Sequence, residues 1–129
     1  MPSTHLRLAV RVLGLAFALA TQCATAQTIR ILVQSSPLAG FRYYAGEELW
    51  QEMKAGDVLT LTRELDNPHD ANAVRIEWRG HKLGYLPRAQ NQAVAVEMDR
   101  GVQVEARIAR LAPHRNPWRR IHVEVFVVL

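Results

Sequence analysis

Val58-Leu59-Thr60-Leu61-Thr62-Arg63, and after a short gap Ala73-Val74-Arg75-Ile76-Glu77-Trp78-Arg79-Gly80-His81-Lys82-Leu83-Gly84-Tyr85-Leu86, is the stretch that decides the fold. The first run alternates, with Val58, Thr60 and Thr62 on one face and Leu59 and Leu61 on the other, as a half-buried strand does. Ala73 to Trp78 is a second strand. Arg79-Gly80 is the tight turn of a hairpin, and His81 to Leu86 is its return. The gap holds Asp66-Asn67-Pro68-His69-Asp70, which is dense in turn formers.

Downstream, Pro87 sits where a helix can start, because its missing N–H needs no partner there. Ala89, Ala93 and Val96 form an apolar stripe at helical spacing with Val94 and Met98 beside it, and Gly101 supplies the stop. Val102 to Leu111 and Ile121 to Leu129 are two further strands, joined by a loop from Ala112 to Trp118. Upstream, Ile29 to Val33 is an opening strand, broken by Ser35-Ser36-Pro37-Leu38-Ala39-Gly40. Phe41 to Tyr44 follows as a second short strand or a continuation. Glu47 to Met53 is one short turn of helix, closed by Lys54 to Asp57. These elements predict a mainly β domain with one substantial α-helix, folded as a small, partly open β-barrel of OB-like or SH3-like character.

The 129 residues, 49% apolar and 22% charged, suit a single small domain. Residues 1–26 are set apart from it. Arg7 and Arg11 precede an apolar run from Val12 to Ala20, then Thr21-Gln22-Cys23 and Ala24-Thr25-Ala26. This is the order of a secretory signal peptide, with cleavage expected after Ala26 and the domain occupying 27–129. Arg11 leaves the apolar run shorter than the about 18 residues of a membrane span. Cys23, the one cysteine, falls inside the leader, where Gln22 takes the place a lipidation signal gives to a small residue. The remainder has no thiol, which excludes disulfides, thiolate metal sites and cysteine nucleophiles there. An exported domain held by its core alone points to a bacterial periplasm. Of 16 basic and 12 acidic residues, setting aside Arg7 and Arg11 leaves 14 against 12. So weak an excess does not by itself argue for a polyanionic partner, and any such case rests on where charges cluster.

Three segments concentrate chemistry. In Gly40-Phe41-Arg42-Tyr43-Tyr44, an extended backbone puts Arg42 and Tyr44 on one face and Tyr43 on the other. An exposed ring there stacks on an unpaired base, and a guanidinium holds phosphate, unless both tyrosines are ordinary half-buried strand residues. In Arg63-Glu64-Leu65-Asp66-Asn67-Pro68-His69-Asp70-Ala71-Asn72-Ala73-Val74, the Asx residues around the turn satisfy loop backbone groups, a role expected of Asn72 in particular. Asp70 has a second use. A carboxylate accepts a hydrogen bond from a terminal sugar hydroxyl and repels a continuing phosphate, so one carboxylate among cations selects chain ends. His69 adds a ring, or a charge when protonated. In Gly84-Tyr85-Leu86-Pro87-Arg88, Tyr85 offers a ring and a hydroxyl, or packs inward. Arg88 reinforces the anion preference of a helix N-terminus.

Taken together, G-F-R-Y-Y, R-E-x-D-N-P-x-D-x-N-A-V and G-Y-L-P-R resemble the HIRAN domain, over about Ile31 to Val127. That module is found in certain Swi/Snf-type helicases that remodel replication forks and as short stand-alone bacterial proteins. The resemblance implies an OB-like barrel that captures the free 3′-hydroxyl end of single-stranded DNA. It implies that Arg42 contacts phosphate, Tyr43 stacks on or supports a terminal base, Asp70 accepts the 3′-hydroxyl and Arg88 makes a basic phosphate contact. Two positions depart from the DNA-binding pattern. His69 stands where a second stacking tyrosine is expected, and Tyr85 where a histidine is. The helicase motor and zinc-binding RING of larger relatives have no counterpart in these residues, so neither ATP hydrolysis nor zinc is carried over.

The expected function is therefore a non-enzymatic nucleic-acid-binding module with Arg42, Tyr43, His69, Asp70, Tyr85 and Arg88 in its site, and with no catalytic residue, metal or cofactor. The alternative is an exported module that kept the barrel without DNA binding and engages a protein or envelope partner. Its surface would be the Ala112 to Arg120 loop with His114, Arg115, Trp118, Arg119 and Arg120, which serves equally as a basic arm for phosphate. A hydrolase finds little support. His69, His81, His114 and His122 show no paired ligand spacing.

Overall fold

A computed structural model describes residues 27–129. The leader, its cleavage after Ala26 and Cys23 lie outside the described residues. Six strands form one antiparallel sheet in the order β1-β6-β5-β2-β3-β4. They are β1 (Arg30–Pro37), β2 (Val58–Arg63), β3 (Val74–Trp78), β4 (His81–Tyr85), β5 (Val104–Leu111) and β6 (Ile121–Val128). The helices are α1 (Gly46–Leu49) and α2 (Gln92–Asp99), with 3-10 turns at Phe41–Tyr43, Arg88–Gln90 and Pro117–Arg119.

The alternation of β2 carries Leu59 into the core and leaves Val58 exposed. In β3, Val74, Ile76 and Trp78 are buried while Arg75 and Glu77 lie half-buried between them. Arg79 (φ 46°) and Gly80 (φ 79°) are both left-handed, as a two-residue hairpin turn requires. The inner faces meet in a core built around Leu38, Phe41, Ile76, Leu83, Leu86 and Val123.

The sheet curls until its two edges almost meet. Just beyond β1, Ala39 N–H donates to Tyr85 O at 2.9 Å, and Tyr85 N–H donates to Ala39 O at 2.9 Å. This single bridge joins β1's end to β4 and leaves the rest of the seam unpaired, so the barrel is partly open. Gly84 makes the approach possible: at φ 155°, any Cβ there would collide with the Ala39 carbonyl.

Several local expectations are corrected. β1 does not stop at Val33. A bulge between Leu32 and Gln34 lets it run on through Ser35 and Ser36 to Pro37, a residue tolerated at the end of an edge strand. Phe41 to Tyr44 is no strand. Gly40 turns left-handed (φ 83°), Phe41 drives into the core edge-on to Trp50, and a 3-10 turn follows. Arg42, Tyr43 and Tyr44 are consequently all exposed in succession, with no alternation.

The helix begins later than Pro87 suggests, because a 3-10 turn intervenes before Gln92. Its buried residues are Val94 and Ala95, while Ala89, Ala93 and Val96 face outward. Ala93 and Val96 instead line an open apolar groove of about 570 Å³ with Ile31, Val33, Val104 and Val127.

Candidate functional site

The loop between β2 and β3 is organised by side chains. Asn67 Oδ1 accepts the N–H groups of His69 (2.9 Å) and Asp70 (3.1 Å), and its Nδ2 donates to Glu64 Oε1 at 3.0 Å. The backbone-satisfying role expected of Asn72 thus falls to Asn67 and to Asp70, whose Oδ1 accepts Asn72 N–H at 2.9 Å. Arg63 clamps the loop against α2. It makes two bonds to Asp99 (3.0 and 3.2 Å) and two to the carbonyls of Ala71 and Ala73 (3.1 and 2.8 Å).

This loop, the end of β4 and the Ala39–Tyr44 turn enclose a cleft of about 280 Å³ lined by Tyr44, Asn67, His69, Asp70, Tyr85 and Arg88. Four of the six expected residues are therefore brought together: His69, Asp70, Tyr85 and Arg88. Arg88 lies in the 3-10 turn that precedes α2, not in the helix's first turn. Arg42 and Tyr43 lie across the Gly40–Tyr44 turn. There they border a second depression of about 230 Å³ with Asn116, Pro117 and Trp118.

Sequence reasoning passed over two residues here, one in the lining of the first cleft and one packed against its rings. One is Tyr44, whose ring meets that of Tyr85 edge-on with centroids 6.0 Å apart. The other is Lys82, whose Nζ sits 4.2 Å from the Tyr44 centroid and 4.5 Å from that of Tyr85. Trp118, 46% exposed, and Tyr43, 73% exposed, are the free rings of the second depression.

Beneath the first cleft lies a charge network. The Tyr85 hydroxyl donates to Glu64 Oε1 at 2.8 Å, and Arg75 Nη1 lies 3.3 Å from Glu64 Oε2. Arg75 Nε sits 2.8 Å from Glu77 Oε1, near enough for charge attraction although its N–H has no aligned acceptor. Burial works to raise the Glu64 pKa. Hydrogen bonds from Asn67 and Tyr85 and the charges of Lys82 and Arg75 outweigh it and hold the carboxyl below its usual range. Burial likewise works to lower the Lys82 pKa. The Tyr85 hydrogen bond and its neighbours' charges reverse that and push it up. Burial and Glu64 together raise the Tyr85 hydroxyl against the pull of Lys82, so the phenol stays a donor.

His122 meets Ser35 Oγ at 2.7 Å on β6, and His114 Nδ1 accepts Asn116 N–H at 2.9 Å in its loop. Among the described residues no three metal-ligating side chains converge, and no helix is long and apolar enough to cross a membrane. The larger β1–α2 groove is a poor seat for phosphate, since the charged residue in its lining is Glu97.

A partly open antiparallel barrel offering rings and cations around one oriented carboxylate is a ligand-binding module. The HIRAN domain model matches residues 31–129, and the chain belongs to that family, known in general as DNA-binding modules without catalysis. In fold it is similar to a solved protein from Lactobacillus plantarum (24% identity, TM-score 0.68), covering 79% of this chain and 98% of that one. It is also similar to the HIRAN domain of human HLTF (20% identity, TM-score 0.59), covering 78% of each chain. No curated protein matches the chain.

Proposed function

We propose that the domain binds the free 3′ end of single-stranded DNA without catalysing a reaction. One observation carries this: Asp70 is the carboxylate of a cleft otherwise lined by rings, an amide and the cation Arg88. Its Oδ1 and Oδ2 each accept one bond from the protein and each keep a lone-pair site. A 3′-hydroxyl donates to that site. A 3′-phosphate, or a strand running on, brings charge against charge. The terminal base packs against Tyr44, Tyr85 or His69, Arg88 holds the phosphate behind it, and the preceding nucleotide reaches Tyr43 and Trp118 with Arg42 at its backbone. The Ala112–Arg120 loop thereby joins the nucleic-acid face instead of forming a separate one. Residues 1–26 would carry the domain out of the cytoplasm, so that its ligand is DNA met there. Mass spectrometry of the N-terminus checks this, and an intact Met1 in purified cell fractions argues against it.

Fluorescence anisotropy with a 3′-hydroxyl oligonucleotide and its 3′-phosphate twin tests end recognition. The wild-type protein should favour the hydroxyl end, Asp70→Ala should abolish the preference, and Arg42→Ala should weaken both ligands alike. Equal binding of the two ends, or none, rejects it.

A further inference from the structure

We propose that Asn91 is a positioning residue that aims the Asp70 carboxylate at the terminal hydroxyl, a role that rests on the 3′-end recognition proposed above. Asparagine is favoured at a helix N-cap because its side-chain oxygen takes a free amide N–H of the first turn. Asn91 stands at that position of α2 and makes no such bond. Its side chain is buried, the residue being 1% exposed, and donates instead to Asp70 Oδ2 at 2.7 Å. A carboxylate only accepts, so the amide nitrogen is the end that faces it. Capping therefore does not account for this residue, whereas orienting Asp70 does. Burying an amide is costly unless it is hydrogen-bonded, and its one side-chain bond goes to the site.

The carboxylate is held from two elements. Asn72 N–H fixes Oδ1 from the loop, and Asn91 fixes Oδ2 from the helix. The terminal torsion of an aspartate is otherwise broad, and a free carboxylate would turn toward Arg88, a cation lining the same cleft. There it would be neutralised, and the discrimination between a hydroxyl and a phosphate would fade. Asn91 keeps the negative charge where the chain end arrives.

The test uses the purified full chain, the two oligonucleotides above, and Asn91→Ala and Asn91→Asp variants across the pH range in which folding is unaffected. Asn91→Ala should cut the hydroxyl-over-phosphate preference by about tenfold, with phosphate-end affinity unchanged or raised. Asn91→Asp sets a second carboxylate against Asp70, and near neutrality the two repel and no donor remains to hold Oδ2. The preference should vanish near neutrality and return as pH falls, when a proton held between them restores a donor. His69, Arg88, Tyr44 and Tyr85 face the same cleft in both proteins, so the wild-type profile subtracts their contribution. A merely structural role would weaken both ligands together and show no recovery at low pH. An unchanged preference in both variants overturns the role of Asn91 while end recognition stands. A wild-type protein without preference overturns both, and that result is visible before any variant is made. Should Asn91→Ala fail to fold, Asn91→Asp, of the same shape, carries the test.

Discussion

The Asp70 cleft and the Trp118 depression adjoin across the Gly40–Tyr44 turn, yet they are built in opposite ways. In the cleft, most working side chains are tied from behind: Tyr85 by Glu64, Asp70 by Asn91, and the Tyr44 ring by Lys82. In the depression, Tyr43 stands open with the Arg42 guanidinium 5.5 Å from its ring centroid. The Trp118 turn is held by its own loop, through Asn116 Oδ1 and Trp118 N–H at 3.1 Å, and at its end by Arg120, which bonds to Glu47 at 3.1 Å, while the Trp118 ring itself stays exposed. A preorganised cleft suits discrimination, because moving a group there breaks several bonds at once. Loose exposed rings suit affinity, since they gain stacking area with any base.

The sharpest way to break this contrast is to undo the barrel's closure. Gly84→Ala places a methyl against the Ala39 carbonyl at a backbone angle that side chains rarely adopt. The strain and overpacking should cost about 3 kcal/mol, lowering the melting temperature by about 15 °C. Because Tyr85 is the next residue, the hydroxyl-over-phosphate preference should fall with stability. An unchanged melting curve would show that the edges do not depend on this close approach.

The hairpin at the centre of that closure was legible in the sequence because a period of two and an Arg-Gly turn are local properties. What surrounds it was not. Lys82 and Tyr85 are three residues apart, so strict alternation sends them to opposite faces. The register shift in the β3–β4 pairing, Ile76 with Gly84 but Glu77 with Lys82, adds a residue to β4 and brings both to one side. Phe41's burial and Gly40's left-handed turn are tertiary outcomes, and they decide that Tyr44, not Tyr43, joins the cleft. The helical stripe held in part: Ala93 and Val96 share a face of α2, but that face lines the open groove, and Ala89 falls in the 3-10 turn at Arg88–Gln90. Nothing in the sequence singled out Asn91, whose contact with Asp70 exists only in the folded chain.

The second prediction separates affinity from discrimination. Tyr43→Ala and Trp118→Ala should each weaken oligonucleotide binding by about 1–3 kcal/mol, equally for both chain ends and with no change in melting temperature. If either variant alters the preference between ends, the depression is part of the selecting cleft and the division drawn here fails. Arg42→Ala should have a gentler signature. Losing one phosphate contact should reduce the slope of log affinity against log salt by about 0.7, measured by titration at several salt concentrations.

The smallest effect comes from the charge network and carries a sign. Glu64 titrates at 4.5 when unperturbed and below that in the folded chain. Its contribution to stability is therefore fully present above pH 4.5 and is lost as pH falls through the folded value. Lys82 and Tyr85 are raised above 10.5 and 10.0, so the native state holds their protons more tightly. Their contribution is complete below pH 10 and is lost as pH rises through the folded values. In denaturant melts, the stability gap between wild type and Glu64→Gln should be widest between these limits and should narrow below pH 4.5. Tyr43→Ala and Trp118→Ala, which touch no part of this network, should show the same stability as wild type throughout the acid range. A Glu64→Gln gap that stays constant with pH would mean that Glu64 holds Tyr85 by shape and hydrogen bonding alone. The cleft's rigidity would then owe nothing to charge.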